Sequence, residues 1–472
     1  MAERTFDLIV IGGGAVGENV ADRAVQGGLT VAMVESELVG GECSYWACMP
    51  SKALLRAGAA TRAAAAVGGV GAIAAIDPSA AFARRDRIVH DWDDSGQVEW
   101  ATGAGIEVIR GHGRLAGERR VTVTAADGST TELIATHAVA VSTGSAPLLP
   151  DIPGLLDLEP WTSRDATSAK AVPASLAIVG GGVVGAEMAT AYSDFGAHVT
   201  LLARSGLLAG QEDFAGDRVA TALRERGVDV RTGVDVTAAR REGGDKVLEL
   251  SDGSEVRAAE VLVAVGRIAR TGELGLETIG LEPGAWLETD DTLRVRGYDW
   301  LYAVCDVNHR ALLTHQGKYQ ARAAGDVIAA RATGAPVRDG AWGRHVATAD
   351  HAAVPQVTFT DPEVASVGLT SVAAEKAGLR IRVVDYDLSW LAGATVQADD
   401  YAGWARAVID EDRAVLIGMT LVGPGVGELI HAATVAVVGG VPLDRLWHAV
   451  PSYPTLAEVW LRLLETYGRD SA

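Results

Sequence analysis

Two stretches of this chain carry the same short order of residue types, and together they leave few folds open. The first runs from the apolar Phe6-Asp7-Leu8-Ile9-Val10-Ile11 into Gly12-Gly13-Gly14-Ala15-Val16-Gly17. A helix-like segment follows, then Leu29-Thr30-Val31-Ala32-Met33-Val34-Glu35. That is strand, glycine turn, helix, strand and acid, and each part has a mechanical reason. Gly12 permits the tight turn, Gly14 lets backbone approach a pyrophosphate, and Gly17 lets the helix pack close to the sheet. The helix start offers free N–H groups and the positive end of a dipole. Glu35 is placed to accept from ribose hydroxyls. The pattern returns as Leu176-Ala177-Ile178-Val179, Gly180-Gly181-Gly182-Val183-Val184-Gly185-Ala186-Glu187 and His198-Val199-Thr200-Leu201-Leu202. Two such units predict an α/β framework holding two dinucleotides that face each other.

The second unit differs where selectivity is set. The position matching Glu35 is Ala203, followed by Arg204 and Ser205. Losing the acid removes repulsion toward a 2′-phosphate, and Arg204 can pair with one. This favours NADP over NAD, against the plainer reading of Arg204 as an exposed arginine without a role.

A chain of 472 residues is too long for one core and predicts roughly two to four domains. Its formal charge of −20 argues against nucleic-acid backbones or anionic membranes as main partners. No basic or hydrophobic leader precedes Phe6 and no long apolar run occurs, so the expected location is the cytoplasm.

Two of the three cysteines, Cys43 and Cys48, fall together in Gly40-Gly41-Glu42-Cys43-Ser44-Tyr45-Trp46-Ala47-Cys48-Met49-Pro50-Ser51-Lys52. Three cysteines do not make a secreted disulfide framework, and zinc would want four ligands that the spacing does not supply. No metal site is expected. In a regular helix residues five apart lie roughly 8–9 Å apart between Cα atoms. A disulfide needs less than about 7 Å. If the two sulfurs bond, this stretch is distorted or enters its helix near Cys48. Pro50 suits a helix opening, with Lys52 in the first turn. Reducing such a bond takes two electrons, which a flavin can deliver and a nicotinamide can resupply. The bland alternative is two buried reduced cysteines.

Further along, residues 53–100 read as mostly helical, and strands are expected at 106–109 and 120–124. The run Ala138–Ser145 leads into a proline-rich crossing from Pro147 to Pro153, the first domain boundary. Val261–Arg267 closes the second unit. Leu301–Val307 then reads as a strand ending at Asp306, with a helix from about His315, so the chain is expected to return to its first domain. From Val346 the texture changes to an α+β domain, with strands in 357–360, 382–386 and 405–409 and helices near 426–439 and 455–467.

The motif Gly-Gly-x-Cys-x4-Cys-x-Pro-Ser-Lys after an N-terminal glycine fingerprint resembles the flavoprotein (pyridine nucleotide) disulfide reductases. That family includes dihydrolipoamide dehydrogenase, glutathione reductase and mercuric reductase. The likeness also draws on Ser142-Thr143-Gly144, Gly180–Glu187, Val265-Gly266-Arg267, Asp306, Val357–Gly368 and Pro454-Thr455. It implies two Rossmann-like domains and a C-terminal α+β dimerisation domain. Residues 1–150 and 268–345 would bind FAD, 151–267 NAD(P)H, and 346–472 would form a homodimer sharing its active site across the interface. FAD would lie on Gly12, Gly14, Gly17, Glu35, Thr143, Gly144 and Asp306, and NADPH on Gly180, Gly182, Gly185, Arg204 and Gly266. The resemblance makes Cys43 the interchange thiol, Cys48 the flavin-side thiol, and Lys52 with Glu187 an ion pair beside the flavin.

The pattern departs from the family at one informative place. Disulfide-reducing members end in His-Pro-Thr-x-x-Glu, whereas this chain reads Tyr453-Pro454-Thr455-Leu456-Ala457-Glu458. A phenol has a reference pKa near 10 against roughly 6.5 for imidazole. It is a poor proton shuttle at neutral pH. His448 is an alternative base. Mercuric reductases also carry tyrosine here, but they use a C-terminal cysteine pair, and no cysteine follows Cys305. Cys305 itself reads as a small buried filler. The expectation is an enzyme passing electrons from NADPH through FAD and Cys43/Cys48 to a small acceptor, a non-standard disulfide or a quinone-like oxidant. The competing readings are a mercuric or metal-ion reductase, a dihydrolipoamide dehydrogenase-like enzyme, and a non-catalytic NADPH-sensing flavoprotein.

Overall fold

The computed structural model describes residues 2–469. Asp470, Ser471 and Ala472, which end the cysteine-free tail, lie outside the described residues. The chain divides into two compact units. One contains the residues up to Pro50 with Asp86–Leu148 and Arg267–Asp350; the other contains Ser51–Arg85, Leu149–Gly266 and His351 onward.

In the first unit the strand Ala2–Ile11 pairs in parallel with Val31–Glu35 on one side and with Thr130–Val141 on the other. Ile106–Arg110 extends the sheet beyond Val31–Glu35, and Leu301–Ala303 lies parallel to the end of Thr130–Val141. Arg120–Thr124 and His112–Leu115 continue it antiparallel. Leu8, Val10, Met33, Val139 and Leu301 are almost wholly buried, as expected of parallel strands covered on both faces. The return of Leu301–Ala303 to this sheet is the chain re-entry expected from the sequence.

The helices Gly17–Gln26 and Thr314–Thr333 lie on this sheet and against each other. Small residues set their spacing. A Cβ on Gly317 would come within 2.6 Å of Val16, and one on Gly325 within 2.6 Å of the Arg23 Cβ. The Arg23 Nε donates to Asp326 at 2.8 Å and holds the register.

The second unit has three sheets among the described residues. Asp229–Thr232, His198–Ala203, Ser175–Val179 and Glu260–Val263 form a parallel sheet, in the order of the repeated fingerprint. Val236–Glu242, Asp245–Leu250 and Glu255–Ala258 form a meander. Gln356–Thr358, Glu363–Gly368, Val415–Gly423, Trp404–Asp410 and Ile381–Asp387 form an antiparallel sheet. The helix Val426–Gly439 packs on it, and the final helix is Val459–Tyr467, entered through a short turn at Leu456–Glu458. Within this unit the fully buried Arg85 donates to the carbonyl of Ala169 at 2.8 Å and also to that of Thr167. Its cation thereby meets the carbonyl end of the helix Ser163–Ser168. Among the described residues no helix is long and apolar enough to cross a membrane.

Candidate active site

The first glycine turn is built as the spacing requires. Gly12 has φ +103°, a conformation open to glycine, and sits beside the Ser142 backbone. Gly14 has only the Gly41 Cα near its missing side chain, at 3.8 Å, so its outer face is open. The Glu35 carboxylate accepts the backbone N–H groups of Gly13 and Glu37, each at 2.7 Å. The buried hydroxyl oxygens of Ser142 and Thr143 have no hydrogen-bond partner among the described residues. Such orphaned groups beside an open glycine turn fit a ligand carrying phosphates and hydroxyls, which is the chemistry of a dinucleotide.

Asp306 lies in the same unit. Its Oδ2 accepts the Ser145 hydroxyl at 2.5 Å, and Arg267 donates to the Ser145 oxygen at 2.5 Å and to the Ser145 carbonyl at 2.8 Å. Ser145 and Arg267 were not singled out as site residues from the sequence. Cys305, the residue before Asp306, has φ +80° and ψ −158°, a region suited to glycine. Burial, then the Asp306 charge, pushes its thiol well above the ordinary range. An inert filler in a strained position is consistent with both observations.

The cysteine stretch breaks in the middle. Gly41–Tyr45 is a short helix, Trp46 leaves helical geometry at φ −134°, and a new helix runs Cys48–Ala65. It begins two residues ahead of the expected opening at Pro50, so Lys52 lies just past the first turn. Proline at the third position is tolerated because the first N–H groups of a helix have no partner within it. The structure holds the pair as two thiols in mutual hydrogen-bond contact. Cys48 Sγ lies 3.3 Å from the Thr314 hydroxyl. The hydrogen bond with Cys48, then burial, then charge on Cys48 drive the Cys43 thiol far above its usual range. Tyr45 is wholly buried, with its hydroxyl 3.4 Å from the Asp93 carbonyl. Of the two bulky residues between the cysteines, only Trp46 is half-exposed.

In the second unit the buried Glu187 receives Lys52 Nζ at 3.0 and 2.8 Å, one bond to each carboxylate oxygen. Its Oε1 also accepts the Phe359 N–H at 3.0 Å, and the Phe359 ring lies 4.8 Å from the Lys52 ammonium. Phe359 is a further site residue that sequence reasoning passed over inside the quoted Val357–Gly368 run. Gly180 has φ +121°, Gly182 has no atom near its missing side chain, and Gly185 packs against the Gly180 backbone. Ala203 is buried while Arg204 and Ser205 are exposed beyond it, and Gly266 is likewise exposed. Tyr453 is 75% exposed, and His448 is also exposed. Glu458 is buried and lies 3.6 Å from Arg462, with its Oε2 unpartnered among the described residues.

Residues 6–326 match the family described as pyridine nucleotide-disulphide oxidoreductase, and residues 354–463 match its dimerisation domain. The chain is 32% identical to a mercuric reductase of Streptomyces lividans, over all of this chain and 98% of that protein. It is 33% identical to a dihydrolipoyl dehydrogenase of Haloferax volcanii, over 97% of this chain and 95% of that one. Among solved structures, the Cu(II) complex of the HOCl-induced flavoprotein disulfide reductase RclA from Escherichia coli superposes with a TM-score of 0.84. That match is 24% identical, covers 98% of this chain and 99% of the other, and shows a shared fold.

Proposed function

We propose, on the premise that this chain belongs to the pyridine nucleotide-disulphide oxidoreductase family, that it is an NADPH-dependent reductase of a small acceptor, a non-standard disulfide or a quinone-like oxidant. FAD and a pyridine nucleotide are the groups expected for the family, and the dimerisation domain suggests a homodimer. The observation carrying the reading is a thiol pair set in a dinucleotide-binding unit, in a chain whose C-terminal motif offers Tyr453 as a phenol.

In this reading Gly12, Gly14, Gly17, Glu35, Thr143, Gly144 and Asp306 hold FAD, with Ser142 alongside. Gly180, Gly182, Gly185, Arg204 and Gly266 hold NADPH. Bound FAD supplies the two-electron link between the nicotinamide and the cysteine pair. Glu187 holds the Lys52 ammonium in place, and residues 346–472 form the dimer. Against a disulfide acceptor, the Cys43 thiolate attacks one sulfur and expels the first thiolate. Cys48 then attacks Cys43, expels the second, and restores the Cys43–Cys48 bond. Thr314 stands within hydrogen-bond reach of the Cys48 sulfur.

Tyr453 decides which acceptors are served well. An acceptor whose products leave without protonation needs no imidazole, and Tyr453 serves as a wall or hydrogen-bond donor. Tyr453→His is expected to raise turnover of lipoamide or glutathione disulfide by roughly 10²-fold, measured as NADPH oxidation. No increase with either disulfide would remove the missing-base argument. Nucleotide choice is tested separately. Arg204→Ala is expected to raise KM for NADPH about tenfold, the loss of one charge-assisted phosphate contact, with NADH kinetics unchanged. Equal kcat/KM for the two nucleotides in the parent enzyme would overturn the preference.

A second reading is metal-ion reduction, favoured by the full-length likeness to a mercuric reductase. NADPH oxidation driven by Hg(II) in excess thiol tests it, and its absence removes the reading. The dihydrolipoamide dehydrogenase-like reading requires lipoamide turnover without the Tyr453→His change. A non-catalytic NADPH sensor would require that NADPH fail to bleach the flavin.

A further inference from the structure

A dinucleotide held at the first glycine turn would bring two negative phosphates toward acidic side chains. The Gly40 N–H donates to the Gly13 carbonyl at 2.8 Å, and a Cβ on Gly41 would come within 2.8 Å of the Gly14 Cα. The stretch before Cys43 is therefore laid directly against the turn. Its next residue is Glu42, which lies in the first turn of the short helix carrying Cys43. A carboxylate beside an anion site repels the anion unless a cation stands with it.

Arg270 is such a cation. Its Nη2 donates to Glu42 Oε2 at 3.4 Å, and its Nη1 lies 3.9 Å from Glu37. Its backbone N–H donates to the Gly144 carbonyl at 3.1 Å, just past the orphaned hydroxyls of Ser142 and Thr143. Arg270 reaches this position because Arg267–Ala269 pairs antiparallel with Ser145–Pro147, and the bond to Gly144 extends that ribbon by one residue. One residue thus meets both the Gly40–Glu42 stretch and the Ser142–Gly144 stretch. Two neighbouring arginines are committed elsewhere. Arg110 donates to the Glu37 carbonyl at 2.7 Å and to Asp94, and Arg267 holds Ser145 beside Asp306. The Arg270 contact to Glu42 is long by comparison, since charge-assisted bonds run at about 2.7–2.9 Å. With its side chain 35% exposed as well, the guanidinium is open to a second anion.

We propose that Arg270 is a cofactor-binding residue whose guanidinium takes the diphosphate of FAD, and that Glu42 holds the guanidinium ready for it. This deepens the flavoenzyme reading and rests on it. A planar guanidinium presents paired N–H donors that match phosphate oxygens. The simpler account is an exposed ion pair that only braces the surface, and such pairs contribute little. The two accounts differ in sign at Glu42. A brace is lost equally when either member is removed. A diphosphate-binding arginine loses its hold when Arg270 is removed, whereas removing the Glu42 charge takes away a competing anion.

The test measures FAD release from purified holoenzyme, read as the rise of free-flavin fluorescence after dilution. Release from Arg270→Met should be about tenfold faster, the loss of one charge-assisted phosphate contact. Arg270→Lys should recover part of the retention, because it keeps the charge. Raising ionic strength should speed release from the parent more than from Arg270→Met, since screening weakens a contact that the variant lacks. Glu42→Gln should hold FAD at least as well as the parent. Thermal unfolding in excess FAD confirms that each variant folds. Release from Arg270→Met at the parent's rate would overturn the proposal. So would a Glu42→Gln variant that sheds FAD as fast as Arg270→Met, which is the mark of a brace. The parent separates the two readings. If it holds no FAD and takes up none when supplied, the flavoenzyme reading itself fails; if it holds FAD and Arg270→Met holds it equally well, only the role of Arg270 falls.

Discussion

Cys48→Ser is expected to lower NADPH-driven reduction of any disulfide acceptor by roughly 10³-fold or more, the scale of losing one member of a catalytic unit. NADPH should still bleach the flavin of the variant. The exchange needs two sulfurs with different tasks. Cys43 can attack an acceptor alone, but without Cys48 the mixed disulfide has no internal thiolate to resolve it. A serine hydroxyl fills the space and retains contact with Thr314, whose oxygen lies 3.3 Å from the Cys48 sulfur. It cannot form the second S–S bond. The variant should therefore accumulate acceptor on Cys43, readable as an added mass on that residue. Removing Cys48 also removes the main group that holds the Cys43 proton in place. Alkylation of Cys43 should therefore extend to lower pH than in the parent. The same variant sorts acceptors, because a quinone drawing electrons without the cysteines should keep its full rate. Unimpaired disulfide turnover would show that the pair is not on the path.

The two glycine-turn units were legible because a tight turn, a close helix approach and a following acid each demand a residue type at a given spacing. Gly12 beside Ser142, and Glu35 bonded to Gly13, realise those demands locally. The distortion expected if Cys43 and Cys48 bond has a visible counterpart, since the helix ends at Tyr45 and a new one starts at Cys48. The partners of the site were less accessible. Thr314, Phe359, Ser145 and Arg267 meet their targets through tertiary packing; Phe359 and Arg267 lie in runs already quoted, but the runs do not say which groups they meet. The short meander from Val236 to Ala258 was also missed, although Gly243-Gly244 and Asp252-Gly253 mark its two turns.

The Lys52–Glu187 pair should show the largest stability effect of any single substitution at the site. Glu187 is 3% exposed while Lys52 is 35% exposed, so the two partners are not equivalent. Lys52→Met leaves a buried carboxylate with the Phe359 N–H as its remaining donor, at 3.0 Å. Removing one member of a buried pair typically costs about 3–5 kcal/mol. Partial exposure of Lys52 places this case near the lower end. Glu187→Gln should cost less, since the freed ammonium can turn toward water and the amide oxygen can still accept from Phe359. Lys52→Met/Glu187→Gln should recover most of the loss, because it removes the uncompensated charge that makes the lysine variant unstable. The stabilities are compared by thermal unfolding of holoenzymes with matched flavin content at one protein concentration, since bound cofactor and any self-association shift the midpoint. A double variant no better than Lys52→Met alone would mean that the carboxylate is held by its backbone partner and not by the lysine. Recovery in the double variant, with turnover still lost, would separate the two roles of the pair. It would show that Glu187 anchors the ammonium for stability, and that the ammonium itself serves the reaction.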